Sequence, residues 1–379
     1  KKINICFILR ITATFILRCT IVGIELGDIM NKASVRLGLI TVLLFGVIQA
    51  STPLNVYGYF DLEASVNNLD QQGKIWTFDQ HHLNLISIYH LDDHFRLFIE
   101  TEWEHGISLE ANGVGSGKIY LAQGWLEYNH SRGVRLQMGK ILIPFGKYGL
   151  TYDATPTYLS TFLPHALYGK NRNSTGREDI LFAKWLTGIQ ISGLTNISDW
   201  GLEYFAYITN GRGPAPSEND NNPNKGTGVR VILTSPGYNH IYGISYYSDR
   251  DGMSFNTLQQ SWGLDGEVNF NNFKLEAETI FTHGQMIDAD SLPTDQYQDG
   301  FGYYFQGSYT LRDVWVPFLR FDHFDPDTKG ILLPYESFTT GINISLTSSV
   351  YWKLEVTDIS IGYEDKRYTE FITSVVVAF

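Results

Sequence analysis

The sequence predicts an all-β fold, a transmembrane antiparallel β-barrel of about sixteen strands. Three observations predict it. From residue 54 to the end, apolar and polar residues alternate with period two, the pattern of strands with one apolar face. The connections between these segments are long and short by turns, as in an antiparallel barrel that crosses a membrane. Aromatic residues make up 14%, while the mean hydropathy is only −0.13. A barrel shows this combination because lipid-facing and water-facing residues average out, with aromatics gathered at both interfaces. No uninterrupted apolar run of helix-spanning length follows residue 50, which excludes a bundle of membrane helices.

The first fifty residues follow other rules. Met30 is followed by Lys32 and Arg36, then by the apolar run Leu37 to Ile48, then by Gln49-Ala50-Ser51. That order of basic, apolar and small residues is the layout of a secretory signal, so 30–50 is expected to be a signal peptide. Residues 1–29 are expected to be upstream, non-native translation, and 51–379 to be the barrel. Reading 3–24 as a membrane helix instead would bury Arg10 and Arg18, at roughly 2.5–3.5 kcal/mol each at the bilayer centre. Cys6 and Cys19 both fall in the removed part, so no thiol or disulfide chemistry is expected afterwards. The removed part holds six basic and two acidic residues of the chain's 28 and 40. The remainder keeps 22 basic and 38 acidic, a net charge of −16. Such a chain is no binder of nucleic acid.

Alternation places strands near 54–65, 74–89, 93–104, 117–129, 132–142, 181–193, 198–210, 226–235, 239–250, 258–270, 273–283, 300–311, 314–324, 336–346, 350–361 and 367–379. In Phe95–Trp103 the odd positions Phe95, Leu97, Ile99 and Trp103 face lipid, while Arg96, Glu100 and Glu102 face water. In Trp262–Phe270 the even positions face lipid, and in Phe273–Phe281 the odd ones do. About ten residues rising roughly 3.3 Å each, tilted near 45°, cross about 23 Å of apolar thickness. Short connections are expected at 91–92, 131–132, 271–272, 312–313 and 347–349, and long ones at 105–116, 143–180, 211–225, 284–299 and 325–335. The final Phe371–Phe379 stretch, alternating and ending in Phe379, has the form that barrel-assembly machinery reads.

Gly124-Trp-Leu-Glu-Tyr128, followed by Val134-Arg-Leu-Gln-Met-Gly-Lys-Ile-Leu-Ile-Pro-Phe-Gly-Lys-Tyr-Gly149, resembles the phosphate-selective porin O/P superfamily. Gly139, Lys140, Pro144, Phe145 and Gly146 match the pattern that leads from the fifth strand into the following loop. Gly58-Tyr-Phe-Asp61 and Phe95-Arg96-Leu-Phe98 add to the resemblance. It implies a sixteen-stranded outer-membrane porin, often a homotrimer, passing small hydrophilic solutes or ions passively. It also implies that the loop after strand five folds inward and narrows the pore. The segment 143–180 is the longest connection and holds Lys147, Lys170, Arg172 and Arg177, and a hydrated lumen tolerates its irregular backbone.

The expected pore-lining or constriction residues are Arg96, Glu100, Arg135, Lys147, Lys170, Arg172, Arg177, Lys184, Arg230, Glu276, Arg320 and Lys353. Parity also sends Asp61, Glu63, Glu102, Glu127, Glu203, Asp265, Glu267, Glu278, Asp322, Glu355 and Glu370 inward. This mixture departs from the basic lumen of anion-selective members of the superfamily, and rings of each sign favour the opposite ion. Strict phosphate selectivity is therefore not expected.

Other signals weigh less. His81, His82, His90 and His94 lie close in sequence, but neighbouring strand residues point to opposite faces, so His81 and His82 are not expected to share an ion. Gly113–Lys118 lacks phosphate-loop spacing. Ser217–Asn222, set among prolines, reads as a solvated loop tip rather than a calcium site bridging lipopolysaccharide. No cofactor and no catalytic residue are expected. The expected partners are outer-membrane lipid and lipopolysaccharide. The alternatives are a barrel sheathing an electron-transfer protein, which would have to bring its own haem, and a barrel lipase, which would need a Ser–His pair.

Overall fold

The structure, a computed structural model, describes residues 54–68, 76–105, 117–131, 133–152, 154–169, 181–211, 220, 222–251, 257–287, 293–325, 334–361 and 366–379. The expectations for 1–50, and those for Lys170, Arg172 and Arg177, lie outside the described residues, as do most of 105–116 and 217–222.

Sixteen strands close into one barrel: β1 (Leu54–Asn67), β2 (Thr77–His90), β3 (Phe95–Glu104), β4 (Lys118–Ser131), β5 (Val134–Leu142), β6 (Trp185–Ile197), β7 (Trp200–Asn210) and β8 (Lys225–Thr234), then β9 (His240–Asp251), β10 (Thr257–Phe270), β11 (Phe273–Ile287), β12 (Pro293–Tyr309), β13 (Trp315–Asp325), β14 (Tyr335–Ser345), β15 (Val350–Ile361) and β16 (Lys366–Ala378). Each pairs antiparallel with its chain neighbours, and β1 closes on β16 with Tyr59 opposite Ala378. Closure satisfies every strand edge internally, which hydrocarbon demands.

The wall is inside-out relative to a water-soluble fold. Leu264, Leu275, Phe305 and Leu319 are each more than half exposed, while Glu276, Gln306 and Arg320 beside them are buried. An apolar band of this kind, carried by every strand from β6 to β16, is a surface for lipid. No helix among the described residues is long and apolar enough to cross a membrane.

The short turns are built locally. Asp92 accepts the N–H groups of His94 (2.8 Å) and Phe95 (2.7 Å), and these bonds hold its carboxyl below the usual range. Two expected boundaries move. β6 begins at Trp185, so Lys184 stands in the connection before it. β11 and β12 extend until Ile287 faces Pro293, and the expected long connection 284–299 shrinks to 288–292. The sequence there, Tyr297-Gln-Asp-Gly300, is polar at successive positions, so the ladder continues where alternation has ended.

Candidate functional site

Inside the barrel, β10 and β11 set acids directly against one another: Asp265 faces Glu278, and Glu267 faces Glu276. Like charges in directly opposed positions repel. The segment after β5 relieves this repulsion. Lys147 Nζ binds Glu267 and, at 3.0 Å, Glu276; Lys274 Nζ reaches the same two carboxylates at 3.2 and 3.0 Å. Burial alone would lower the Lys147 pKa, but Glu276 and Glu267 outweigh it and raise the value, so the ammonium stays charged. Arg230 clamps Asp265 bidentately at 2.6 and 3.0 Å. Glu278 accepts the Tyr168 hydroxyl at 2.9 Å and the Lys147 N–H at 3.1 Å. Burial first, and Glu278 second, push the Tyr168 phenol far above its ordinary pKa.

Gly146 makes this approach sterically feasible. Its φ is 68°, and a Cβ there would lie 2.2 Å from Glu278 Oε1 and 2.6 Å from the Tyr168 hydroxyl. The Pro-Phe-Gly at 144–146 is thus the bend at which the chain leaves β5 and enters the lumen. Its N–H donates to Ser245 Oγ at 3.1 Å.

Further along, the segment forms 3₁₀ turns at Gly149–Thr151 and Thr155–Thr157 and a short helix, α1 (His165–Tyr168). Buried Lys353 donates to the carbonyl oxygens of Thr155 (2.7 Å), Tyr158 (2.9 Å) and Ser160 (2.8 Å). Arg320 donates to Ser160 Oγ and to Phe162 O, and its Nε holds Asp322 at 2.8 Å. The Thr161 N–H donates to Glu355 at 2.9 Å. Three basic or polar wall groups therefore replace the hydrogen bonds that an irregular backbone lacks.

The interior departs from expectation in one respect. The segment was expected to lie in water, yet Ile143, Phe145, Leu167 and Phe182 pack with the wall residues Tyr247, Ile280 and Tyr304 into one buried apolar cluster. The wall's inward positions are not uniformly polar, so this part of the lumen is filled with side chains.

The remaining expected residues are placed as follows. Arg96 forks onto Glu127 at 2.7 and 2.9 Å and lies 5.5 Å from the centre of the Trp125 ring. Glu100 accepts from Asn84 (2.9 Å) and Gln123 (2.7 Å). Arg135 meets Glu203 at 3.2 Å. Lys184 lies over the rings of Tyr152 (4.4 Å) and Trp185 (4.1 Å). Arg230, Glu276, Arg320 and Lys353 belong to the network above. Sequence reasoning missed Tyr168, Ser160 and Ser245, because hydroxyls in unperiodic or small-residue stretches carry no signal.

Irregular pairing re-aims two further groups. Ala122 is an extra residue on β4, since Glu100 faces Gln123 while Thr101 faces Leu121. Beyond that bulge Trp125 points inward and stacks on Phe98, with centroids 4.5 Å apart. On β2, Asp61 faces His82 but Glu63 faces Asp79, so Gln80 and His81 together oppose Leu62. This bulge overturns the parity argument for the histidines. Their ring centroids are 3.8 Å apart, on the same side of the strand.

With the segment seated on β8–β16, space remains beside β1–β6. A cavity of about 670 Å³ is bordered by His81, His82, Glu104, Tyr158, His165 and Lys184. A smaller one of about 150 Å³ is bordered by Tyr59, Glu100, Glu102, Gln123, Thr151 and Lys184.

No family model matches the chain, and no curated protein matches it. Solved structures do. An anion-selective porin from Comamonas acidovorans superposes with a TM-score of 0.60 at 14% identity, covering 87% of this chain and all of that one. OmpT of Vibrio cholerae in trimer form gives 0.58 at 11%, covering 87% and 100%. The outer membrane channel DcaP of Acinetobacter baumannii gives 0.55 at 8%, covering 87% and 98%. At these identities the likeness is one of fold: this barrel has the fold of outer-membrane porins.

Proposed function

We propose that the protein is an outer-membrane porin, a passive channel for small hydrophilic solutes or ions, with no catalytic step. The observation that carries this reading is the seating of residues 143–169 against one side of the lumen, with cavities left along the other. In this reading the segment is the constriction, and solutes pass between it and β1–β6, beside Glu100 and Glu102. Selection then rests on passage size and on the charge of its walls. Outer-membrane lipid surrounds the apolar band, and three copies assemble, as the fold neighbour in trimer form does. Phe379 then presents the terminal aromatic for assembly.

The test is single-channel recording in planar bilayers. The wild type should show a small steady conductance, and deletion of 155–168 should enlarge it, with circular dichroism checking that the barrel persists. A conductance unchanged by the deletion would remove the constriction. Absence of any conductance would remove the channel.

A further inference from the structure

We propose that the β2 bulge creates a divalent metal site of the zinc class, with Asp61, His81 and His82 as ligands and Glu63 as the fourth donor. A regular strand would turn the two histidines to opposite faces, but the bulge turns both inward. The donor atoms of Asp61, His81 and His82 then lie within 4.8 Å of one another. Asp61 is fixed for the task. Its Oδ1 accepts the His82 N–H at 2.6 Å, and its Oδ2 stands 3.2 Å from His82 Nδ1.

A second observation points to a ligand. Glu63 is only 9% exposed, and its Oε2 has no hydrogen-bond partner. It faces His81 Nδ1 across 3.8 Å, and that nitrogen has no hydrogen-bond partner either. Two histidine nitrogens are thus each turned toward a carboxylate on the neighbouring strand. Zinc takes nitrogen and carboxylate oxygen at about 2.0–2.2 Å in tetrahedral array, which sets donors about 3.3 Å apart. The Asp61–His82 separation already matches, and the Glu63–His81 pair is about half an ångström wider. Asp61, His81 and His82, within 4.8 Å of one another, close further on a bound ion, and Glu63, outside that group, swings in as the fourth donor. A mixed set of two imidazoles and two carboxylates suits zinc and its neighbours rather than magnesium or calcium. Glu102 lies 3.6 Å from His82 Nε2, the position from which an outer carboxylate steadies a ligating imidazole. His81 and His82 border the larger cavity, so a bound cation there adds positive charge to the wall of that space.

The experiment is calorimetric titration of untagged, chelator-treated, detergent-solubilised barrel with Zn2+, and it does not depend on the channel reading. One Zn2+ per chain is expected. His81→Gln should abolish stoichiometric binding with the circular dichroism unchanged, and Glu102→Gln should weaken it about tenfold or more. No binding, or equal binding by wild type and H81Q, overturns the proposal. Should H81Q fail to fold, Co2+ in the wild type decides: visible bands of tetrahedral Co2+ with nitrogen and oxygen ligands support the site, and octahedral bands or none overturn it.

Discussion

Lys147 answers a repulsion that the wall creates for itself, so its removal should be felt in more than one measurement. Lys147→Met leaves Glu267 and Glu276 opposed with Lys274 alone between them, at a cost of about 3 kcal/mol for the seat of the segment. The lost positive charge should also shift the reversal potential in a salt gradient toward cations. The pH dependence follows from the raised pKa of Lys147. A lysine whose folded value exceeds its unfolded one contributes stability that is fully present below the unfolded value, near 10.4. That contribution disappears as pH rises through the folded value, so above neutral pH the channel noise from a loosened segment should appear only at the alkaline end. Noise that grew between about pH 7 and 9 instead would show that another group governs the seat. The inward carboxylates and arginines were legible in the sequence, because charge within an alternating run has only one hydrated side. His81 and His82 were not, because a single extra residue reverses the parity that assigns them.

At the level of elements, the strands were legible almost throughout. Each carries its own apolar stripe, and turn residues such as Asp92 or Asn271 mark where it stops. The ends of β11 and β12 were not, since polar residues on both faces carry no period. The segment after β5 was recognised by its length and by Pro144-Phe-Gly146, but its fold was not, because its partners come from strands 100 to 200 residues away. The seam between β1 and β16 is a further element whose chemistry is local. Gly58 and Phe379 exchange two backbone hydrogen bonds, of 2.8 and 2.9 Å. A Cβ on Gly58 would lie 2.4 Å from the Asn84 carbonyl oxygen and 2.6 Å from the Phe379 ring. Gly58→Val should therefore cost about 1–3 kcal/mol by overpacking. Thermal unfolding of the detergent-solubilised barrel should begin at lower temperature; an unchanged midpoint would mean that the seam yields without strain.

At the scale of the whole molecule, sixteen strands and closure follow from a repeated pattern, whereas selectivity follows from which charges remain after pairing. Arg96, Arg135, Arg230 and Arg320 each face a carboxylate, and Lys353 is occupied by three carbonyl oxygens. Glu100, which accepts from the amides of Asn84 and Gln123 rather than from a cation, borders the smaller cavity and is expected to set the balance there. A reversal potential of cation-preferring sign is the predicted result; strong anion preference would contradict it. The fold shared with an anion-selective porin does not decide the matter, because a barrel wall accepts either sign. The dry cluster within the lumen also dictates an order of events. Thr161 Oγ1 meets Ser374 Oγ at 2.9 Å, a contact between residues 213 positions apart on the segment and the last strand. Contacts so distant along the chain form slowly. Thr155 to Thr161 are held by Lys353, Glu355 and Ser374 on the last two strands, so this stretch of the segment gains its final partners only once β15 and β16 are in place.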